Sequence, residues 1–315
     1  MGAAPLAPSG MTGDNGPPIV PIRGAMEDRT TLRQLLARDR ILVAPCCYDM
    51  ISARLIERAG FEAVYLGGYA HVASHVGLPD AGLATFSEML ERVHNLVRCV
   101  GIPVLADGDT GYGNALNMRR TVQEYEQAGA QAIQIEDQEM PKKCGHTPGK
   151  RLIGAEEMAL KVEAAAHSRR SDDFLIVART DAIAVLGLEE AVKRGKLYER
   201  AGADVVFLEA PTTVEELKAA AGSFGVPTMA NLIEGGKTPF LSTAELQEIG
   251  FKIAAYPHSL ILGCIRSIQK TLRALKEQGT TREVAGEMAD FAELDELIGF
   301  PEARAWEARY TPREP

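Results

Sequence analysis

A repeated unit dominates this sequence: a helical stretch, a glycine step, and a short apolar run that ends in polar residues. It recurs in RAGFEAVYLGG, QAGAQAIQIED, RAGADVVFLEA and EIGFKIAAYP. In each copy one glycine is placed to end the preceding helix in the left-handed conformation, namely Gly60, Gly129, Gly202 and Gly250. A Gly-x-Pro step precedes two further runs. Together with ILVAPC and FLIVARTD, the pattern predicts eight strands that start near residues 41, 63, 103, 132, 174, 205, 227 and 252.

Eight such units in succession predict an α/β fold, a (β/α)8 TIM barrel. The runs are almost continuously apolar, as expected for parallel strands covered on both faces. Helical patterns lie between them, and three begin with capping-box pairs, at Thr85–Glu88, Thr213–Glu216 and Ser242–Glu245. A doubly wound open sheet is the alternative, but no glycine fingerprint follows the first strand. We expect one catalytic domain over residues 26–300, a flexible extension over 1–25 and a tail over 301–315.

The C-terminal part is longer than a minimal barrel needs. Residues 259–277 have the pattern of an amphipathic helix, and a further helical stretch continues to about residue 299. We therefore expect an arm that packs on a neighbouring subunit, and with it a homo-oligomer.

Composition excludes several classes of partner. A formal net charge of -9 argues against nucleic acid or an anionic membrane surface. No apolar run approaches the roughly 20 residues that a transmembrane helix needs, and the N-terminal residues lack the pattern of a secretory signal or transit peptide. Five cysteines without a regular spacing do not form a disulfide framework, so a reducing, cytoplasmic compartment is expected.

Acidic side chains follow five of the eight predicted strands. Chemistry in such barrels takes place at the C-terminal ends of the strands, where clustered carboxylates repel one another unless a cation neutralises them. Asp107 and Asp109 are two residues apart on one predicted strand and should point to the same face. Carboxylate ligands without paired cysteines favour Mg2+ or Mn2+ over zinc.

The fourth strand ends in two adjacent acids, of which only one can point inward. We expect this to be Glu136, because Gln134 and Gln138 share its parity and indicate a polar inner rim. For Asp137 the alternative to a functional role is a structural pair with a lysine or arginine of a loop.

The next strands add an arginine and further polar groups. Arg179 could form a salt bridge with Asp181, but an arginine at a barrel end also suits bidentate binding of a substrate carboxylate. Glu209 and Asn231 would complete a polar wall around an acidic substrate. Four histidines are expected to be helical or to face solvent, without a functional role: His71, His75, His94 and His167.

The segment PKKCGHTPGKR, residues 141–151, combines a thiol, a histidine and four cationic side chains. We expect the cations to lower the pKa of the Cys144 thiol and to make it a usable acid or base. A zinc site would need two more soft ligands beside Cys144 and His146, and these two residues are too close in sequence to align readily as nucleophile and base.

Taken in order, GLPD, DGDTGYGN, IEDQ, PKKCGH, ARTD and ANLIEGGKTP resemble the isocitrate lyase/phosphoenolpyruvate mutase superfamily. The resemblance extends from about residue 28 to residue 300. It is greatest to the short carbon–carbon lyases, a branch with the 2-methylisocitrate lyases, the 2,3-dimethylmalate lyases and the petal death protein, an oxaloacetate hydrolase.

The resemblance implies Mg2+ at the strand ends and a tetramer in which the last barrel helix is exchanged between subunits. Asp107 would ligate the metal, while Asp80, Asp109 and Glu136 hold its waters. The loop with Cys144 would be a mobile gate, and Cys144 the general acid, whose presence favours C–C over P–C chemistry. Substrate would be bound by Gly67, Gly68, Tyr69, Lys142, Gly145, His146, Arg179, Glu209 and Asn231.

These roles predict a retro-Claisen lyase acting on a 2-hydroxy di- or tricarboxylate. The general base is left open between Tyr48, Asp80 and a metal-bound water held by Glu136. The substituent at C3 would lie near the gate, Tyr69, Pro257 and Ser259. The alternatives are an oxaloacetate hydrolase and, less favoured, a phosphonate mutase or hydrolase. One departure is Gly67, where these lyases usually carry a serine or threonine.

Overall fold

Eight strands alternate with helices in the computed structural model, which describes residues 30–311. Each strand begins within two residues of its expected start. The strands are β1 Leu42–Cys47, β2 Val64–Leu66, β3 Val104–Asp107, β4 Ala132–Glu136, β5 Leu175–Thr180, β6 Val205–Leu208, β7 Met229–Asn231 and β8 Ile253–Tyr256.

All strand pairs are parallel, in the order β6-β5-β4-β3-β2-β1-β8-β7. A parallel bridge between Val206 in β6 and Thr228, just before β7, joins the two ends of this sheet. The predicted TIM barrel is therefore confirmed, and the doubly wound open sheet is excluded.

Helices cover the outside of the barrel and extend beyond its last strand. They are α1 Leu32–Leu36, α2 Met50–Arg58, α3 Gly68–His75, α4 Phe86–Cys99, α5 Ala115–Gln127, α6 Ala155–Ser168, α7 Ile183–Leu186, α8 Leu188–Arg200, α9 Val214–Gly222, α10 Thr243–Ile249, α11 Ser259–Gln278, α12 Phe291–Ile298 and α13 Phe300–Tyr310.

The four glycines expected to end helices all have positive φ, from 85 to 112°. The capping boxes at Thr85 and Ser242 are complete. At Thr213 only half of the box forms, because the Glu216 carboxylate binds Thr212 instead.

Apolar side chains form two layers. One fills the barrel interior and includes Leu105, Leu175 and Phe207, and the other lies between the strands and the surrounding helices. Each fully buried leucine or phenylalanine side chain contributes about 1.5–3 kcal/mol to stability through the hydrophobic effect. Because the interior below is apolar and close-packed, the polar residues at the strand ends are confined to the C-terminal mouth of the barrel.

Both chain ends differ from a minimal barrel. The extension expected over residues 1–25 lies outside the described residues. The segment expected to be a tail from residue 301 contains most of α13, and residues 312–315 are again outside the description. Among the helices of residues 30–311, none is long and apolar enough to cross a lipid bilayer.

Candidate active site

A cavity opens at the C-terminal ends of the strands, beneath the loop of residues 141–151, which we call the gate loop. Most of the residues expected in the site line it. They are Gly67, Gly68, Tyr69, Asp80, Asp107, Glu136, Lys142, Cys144, Gly145, His146, Arg179, Glu209 and Asn231. Of the residues expected near the C3 substituent, Pro257 lines this cavity, whereas Ser259 lies outside it and binds Glu234.

Lys142 is the centre of the acidic side of the cavity. Its ammonium lies 2.6 Å from Asp80 and 2.7 Å from Asp109, and its side chain is only 3% exposed. Although burial by itself would lower the pKa of Lys142, the carboxylates of Asp109, Glu136 and Asp80 raise it well above its usual value. A cation from the gate loop thus neutralises an acidic group contributed by the barrel. We call the four carboxylates of Asp80, Asp107, Asp109 and Glu136 the acidic ring.

Asp107 is held by its neighbours at the end of β3. The Gly68 N–H donates to its Oδ2 atom at 3.1 Å, and the Gln134 amide donates to Oδ1 at 3.4 Å. Gln134 is in turn fixed by the Tyr65 hydroxyl at 2.8 Å. Burial, together with the charge of Asp109, raises the pKa of Asp107 to about 6.

Asp109 does not lie on the same strand as Asp107, so the expectation from strand parity was wrong. Both acids nevertheless reach the same side of the barrel. Strand β3 ends at Asp107, so strand parity does not apply to residue 109. Asp109 has left-handed backbone geometry, with φ of 47°, and its N–H donates to Asp107 Oδ1 at 3.0 Å. This turn and the bond to Lys142 bring its carboxylate to the ring.

The two acids at the end of β4 point in opposite directions, with Glu136 inward as expected. Glu136 Oε1 is buried without a hydrogen-bond partner, and burial raises the pKa of this carboxyl well above its usual value. Asp137 is fully buried on the outer side, where Arg194 of α8 donates to it at 3.0 Å and Tyr198 at 2.9 Å. It also accepts from the Thr180 hydroxyl at 2.6 Å. The structural pair considered for Asp137 therefore forms, with an arginine from a helix instead of a loop.

Gln138 does not belong to a polar inner rim. Its amide donates to the Lys143 carbonyl at 2.8 Å and accepts from the Lys143 N–H at 2.9 Å. It is thus an anchor for the start of the gate loop.

Arg179 forms the salt bridge with Asp181 that its position suggested, and it also lines the cavity. Its guanidinium donates to Asp181 at 2.9 and 3.2 Å, and it lies 3.6 Å from Glu209 and 3.4 Å from Glu136. Although burial would raise the pKa of Asp181, Arg179 and Lys150 lower it to about 2. Carboxylates of the protein therefore hold the guanidinium in place at the cavity wall.

The gate loop lies directly on the barrel. A Cβ atom on Gly145 would come within 2.5 Å of Arg179 Nη2 and of Glu209 Cγ, so only glycine permits this approach. His146 Nε2 lies 2.9 Å from Glu209, and its Nδ1 atom accepts from the Lys237 N–H at 3.1 Å. Lys150 binds Asp181 at 2.8 Å and also the Gly145 carbonyl. These contacts hold the gate loop over the cavity.

Cys144 lines the cavity, but the expectation for its pKa was wrong in direction. Burial raises the pKa of the thiol above its usual value, and this outweighs the opposing effects of the His146 backbone N–H and of Arg179. The four cations of the loop have other partners. Lys142 and Lys150 bind carboxylates, the Lys143 ammonium donates to the Gly149 carbonyl at 2.8 Å, and Arg151 pairs with Glu139 at 2.8 Å. At neutral pH Cys144 is therefore a protonated thiol.

The structure does not bring Tyr48 into the cavity. This side chain lines a separate apolar groove beside α2, and its pKa is raised by burial and by a hydrogen bond with Cys264. None of the four histidines set aside from the sequence lines the cavity.

Several residues that line the cavity were not expected from the sequence, among them Tyr65 and His258. His258 lines the cavity and stacks on Tyr69 with ring centroids 4.4 Å apart. Its position directly after the eighth strand was the only sequence signal for it. The roles of Tyr65 and Lys150 depend on contacts with Gln134 and Asp181, which the sequence does not show.

The acidic ring fits a hard cation that is held largely through water. Within residues 30–311, no three histidine, cysteine or acidic side chains converge closely enough to bind a metal together. Mg2+ commonly takes only one or two carboxylates directly and keeps several waters. Buried carboxylates with raised pKa and the unpartnered Glu136 oxygen suit such an arrangement.

Comparison with known proteins places this site in a family. The family model described as phosphoenolpyruvate phosphomutase matches residues 32–276. The chain is 44% identical over 285 residues to the 2,3-dimethylmalate lyase of Eubacterium barkeri, covering 90% of this chain and 99% of that one. It is 45% identical over 269 residues to a 2-methylisocitrate lyase of Aeropyrum pernix, with coverages of 85% and 86%.

Solved structures agree with this placement. A crystal structure of 2,3-dimethylmalate lyase superposes with a TM-score of 0.83 at 34% identity, covering 88% of this chain and 93% of that one. Oxaloacetate acetylhydrolase with 3,3-difluorooxaloacetate gives 0.84 at 31% identity, with coverages of 89% and 95%. Phosphonopyruvate hydrolase with oxalate and Mg2+ gives 0.80 at 33% identity, with coverages of 89% and 97%. The resemblance drawn from the motifs and the expectation of a carbon–carbon lyase are confirmed, and the chain belongs to the phosphoenolpyruvate mutase/isocitrate lyase superfamily.

Proposed function

We propose that this enzyme is a Mg2+-dependent lyase that cleaves a 2-hydroxy di- or tricarboxylate of the 2-methylisocitrate or 2-alkylmalate type. The products are a 2-oxo acid such as pyruvate and a carboxylic acid. The observation that carries the proposal is that Cys144, whose raised pKa keeps the thiol protonated, lines the same cavity as Arg179 and as three carboxylates of the acidic ring, those of Asp80, Asp107 and Glu136. The lyase names of the relatives support the reaction class.

The cavity wall provides the groups that a substrate with several carboxylates needs. Arg179 can bind one carboxylate in a bidentate manner, and the Asn231 amide, which lies 3.3 Å from Glu209, can donate to another. Residues of the gate loop and of the start of α3 line the same space. Positioned donors in a site closed to water stabilise a developing negative charge more strongly than water does.

The acidic ring would hold Mg2+, with Asp107 as the direct ligand and Asp80, Asp109 and Glu136 holding its waters. When bound, the metal supplies Lewis-acid stabilisation of the charge on the substrate's carboxylate and C2 oxygen.

The reaction requires one base and one acid from this chain. A carboxylate of the ring, Asp80 or Glu136 through a water, takes the proton of the C2 hydroxyl. The C2–O electrons then form the carbonyl of the 2-oxo acid, and the C2–C3 bond breaks with its electron pair left on C3. Cys144 gives its proton to that carbon, while Arg179, which lines the cavity, offsets the negative charge. Burial raises the pKa of Glu136 well above its usual value, so its ionised form is a stronger proton acceptor than that of an ordinary glutamate.

A second candidate is oxaloacetate hydrolysis to oxalate and acetate, which would use the same cavity with water as the attacking group. The similarity to oxaloacetate acetylhydrolase over 89% of this chain favours keeping it. Phosphonate chemistry is less favoured, because the relatives that are 44% and 45% identical to this chain are named as carbon–carbon lyases.

The same proposal includes a homo-oligomer, a tetramer, in which α11 is exchanged between subunits. An apolar groove of about 830 Å3 lies between α2 and α10, in the position where the eighth helix of a closed barrel would pack. Instead, α11 leaves a row of apolar side chains exposed: Leu262, Ile265, Ile268, Leu272 and Leu275. A second copy of α11 would cover the groove and this row together. We also propose a cytoplasmic location, as expected for a chain whose five cysteines form no disulfide framework.

The test is a substrate panel with the purified enzyme and Mg2+. We expect pyruvate from 2-methylisocitrate or 2,3-dimethylmalate, and loss of activity on chelation with recovery on adding Mg2+. Oxalate from oxaloacetate as the main product would favour the second candidate. Activity unchanged after exhaustive chelation would remove the metal from the proposal, and turnover of phosphonopyruvate alone would reject the lyase.

A further inference from the structure

Two adjacent glycines line the cavity where α3 begins, and they are there for different reasons. At Gly68 a Cβ atom would lie 2.9 Å from Asp107 Oδ2, so a side chain is excluded by the acidic ring. Gly67 has ordinary extended backbone geometry, with φ of -84° and ψ of 135°. A Cβ atom there would lie 3.4 Å from Cys46 Sγ and 3.9 Å from Tyr65 Cε1, which is normal van der Waals contact. Neither backbone strain nor crowding therefore requires glycine at position 67.

The missing Cβ atom leaves a notch the size of one methyl group in the cavity wall. Its floor consists of the Cys46 thiol and a ring edge of Tyr65, both almost completely buried. Burial raises the pKa of Cys46, so the thiol is neutral. The Tyr65 hydroxyl is directed to Gln134 instead. The notch thus has soft, apolar walls beside the charged groups of the cavity, and it suits an apolar atom better than an oxygen.

We propose that Gly67 is a specificity-determining residue and that the notch receives a methyl branch of the substrate. The inference rests on the proposed lyase function and specifies its substrate: a branched 2-hydroxy acid is preferred over its unbranched counterpart. A pocket that gains or loses one methyl group changes discrimination by about 10- to 200-fold.

Gly67→Ala tests the notch because it fills this space without disturbing the backbone. The rates to compare are kcat/KM for 2-methylisocitrate and for isocitrate, in the natural enzyme and the variant. We expect the ratio of kcat/KM for the methylated to the unbranched substrate to fall about 10- to 100-fold in the variant. Gly154→Ala is the matched control, because a Cβ atom there meets nothing within 4 Å and the residue lies outside the cavity. An equal loss on both substrates, or no loss on either, would overturn the proposal.

A binding measurement separates this inference from the reaction. The dissociation constants of methylsuccinate and succinate are measured by calorimetry in the presence of Mg2+. We expect the natural protein to prefer methylsuccinate and Gly67→Ala to lose that preference. An unchanged preference refutes the notch even if lyase activity is present. A lost preference in a protein that cleaves no substrate supports the notch and counts against the proposed function alone.

Discussion

The ammonium of Lys142 lies 2.6 Å from the carboxylate of Asp80, and both side chains are almost completely buried. One partner belongs to the gate loop and the other to the segment that follows α3. This ion pair therefore ties closure of the gate to the acidic ring, and most of the following predictions concern groups that it brings together.

Replacing Lys142 with methionine should open the gate loop and abolish turnover. Without the ammonium, the carboxylates of Asp80 and Asp109 are left buried without their cation, which typically costs about 3–5 kcal/mol. Hydrogen–deuterium exchange over residues 141–151 should become faster, and kcat/KM should fall at least about 100-fold. Arg151→Met is the control, because its pair with Glu139 is exposed. Unchanged exchange protection in Lys142→Met would show that the pair does not hold the gate.

Cys144→Ser should lower kcat by about a thousandfold, within the range that a positioned proton donor contributes. A serine hydroxyl retains the shape of the thiol but is a much weaker acid. Binding of oxalate, measured by calorimetry with Mg2+, should stay within a factor of about three, since the loop contacts of Gly145 and His146 are kept. Near-normal turnover would refute the role of Cys144 as the acid.

The pH dependence of Cys144 alkylation tests the direction of its pKa. Because burial raises that pKa, the thiolate fraction at pH 8 should be smaller than that of a free cysteine, whose pKa is about 8.5. The rate of modification by iodoacetamide, followed at this peptide by mass spectrometry, should rise with a midpoint above that of a cysteine peptide. A midpoint below it would mean that the loop cations dominate after all.

Arg194→Met should destabilise the fold without touching the cavity. It removes the cation from the fully buried Asp137 and should lower the free energy of unfolding by about 3 kcal/mol. The neighbouring Lys193 pairs with Glu189 in solvent, so Lys193→Met should change that free energy by less than about 0.5 kcal/mol. Equilibrium urea denaturation of both variants makes the comparison, and equal effects would contradict the structural role assigned to Asp137.

Ile268→Glu should weaken the oligomer. This side chain is 51% exposed on the apolar row of α11, and a charge there would be buried against a second copy. Light scattering coupled to size-exclusion chromatography should show smaller species than for the natural protein. Ser267→Glu adds the same charge at the adjacent exposed position and should leave the assembly unchanged. A natural protein that elutes as a monomer would refute the exchange of α11.

The sequence by itself determined the barrel. Eight apolar runs with helix-ending glycines suffice because their periodicity and order are local properties, and each strand starts within two residues of its expected position. The ordered motifs also identified the family and most of the cavity, since residues at the ends of successive parallel strands necessarily meet at one mouth.

The tertiary structure decided how charges are paired. The sequence placed four cations around Cys144, but folding directs Lys142 and Lys150 to buried carboxylates, because an unpaired charge is far costlier to bury than a neutral thiol. The tertiary structure also directs Tyr48 away from the cavity and places Arg194 beside Asp137. The direction of the Cys144 pKa and the open space at Gly67 depend on atoms distant in sequence, so only the packed structure could determine them.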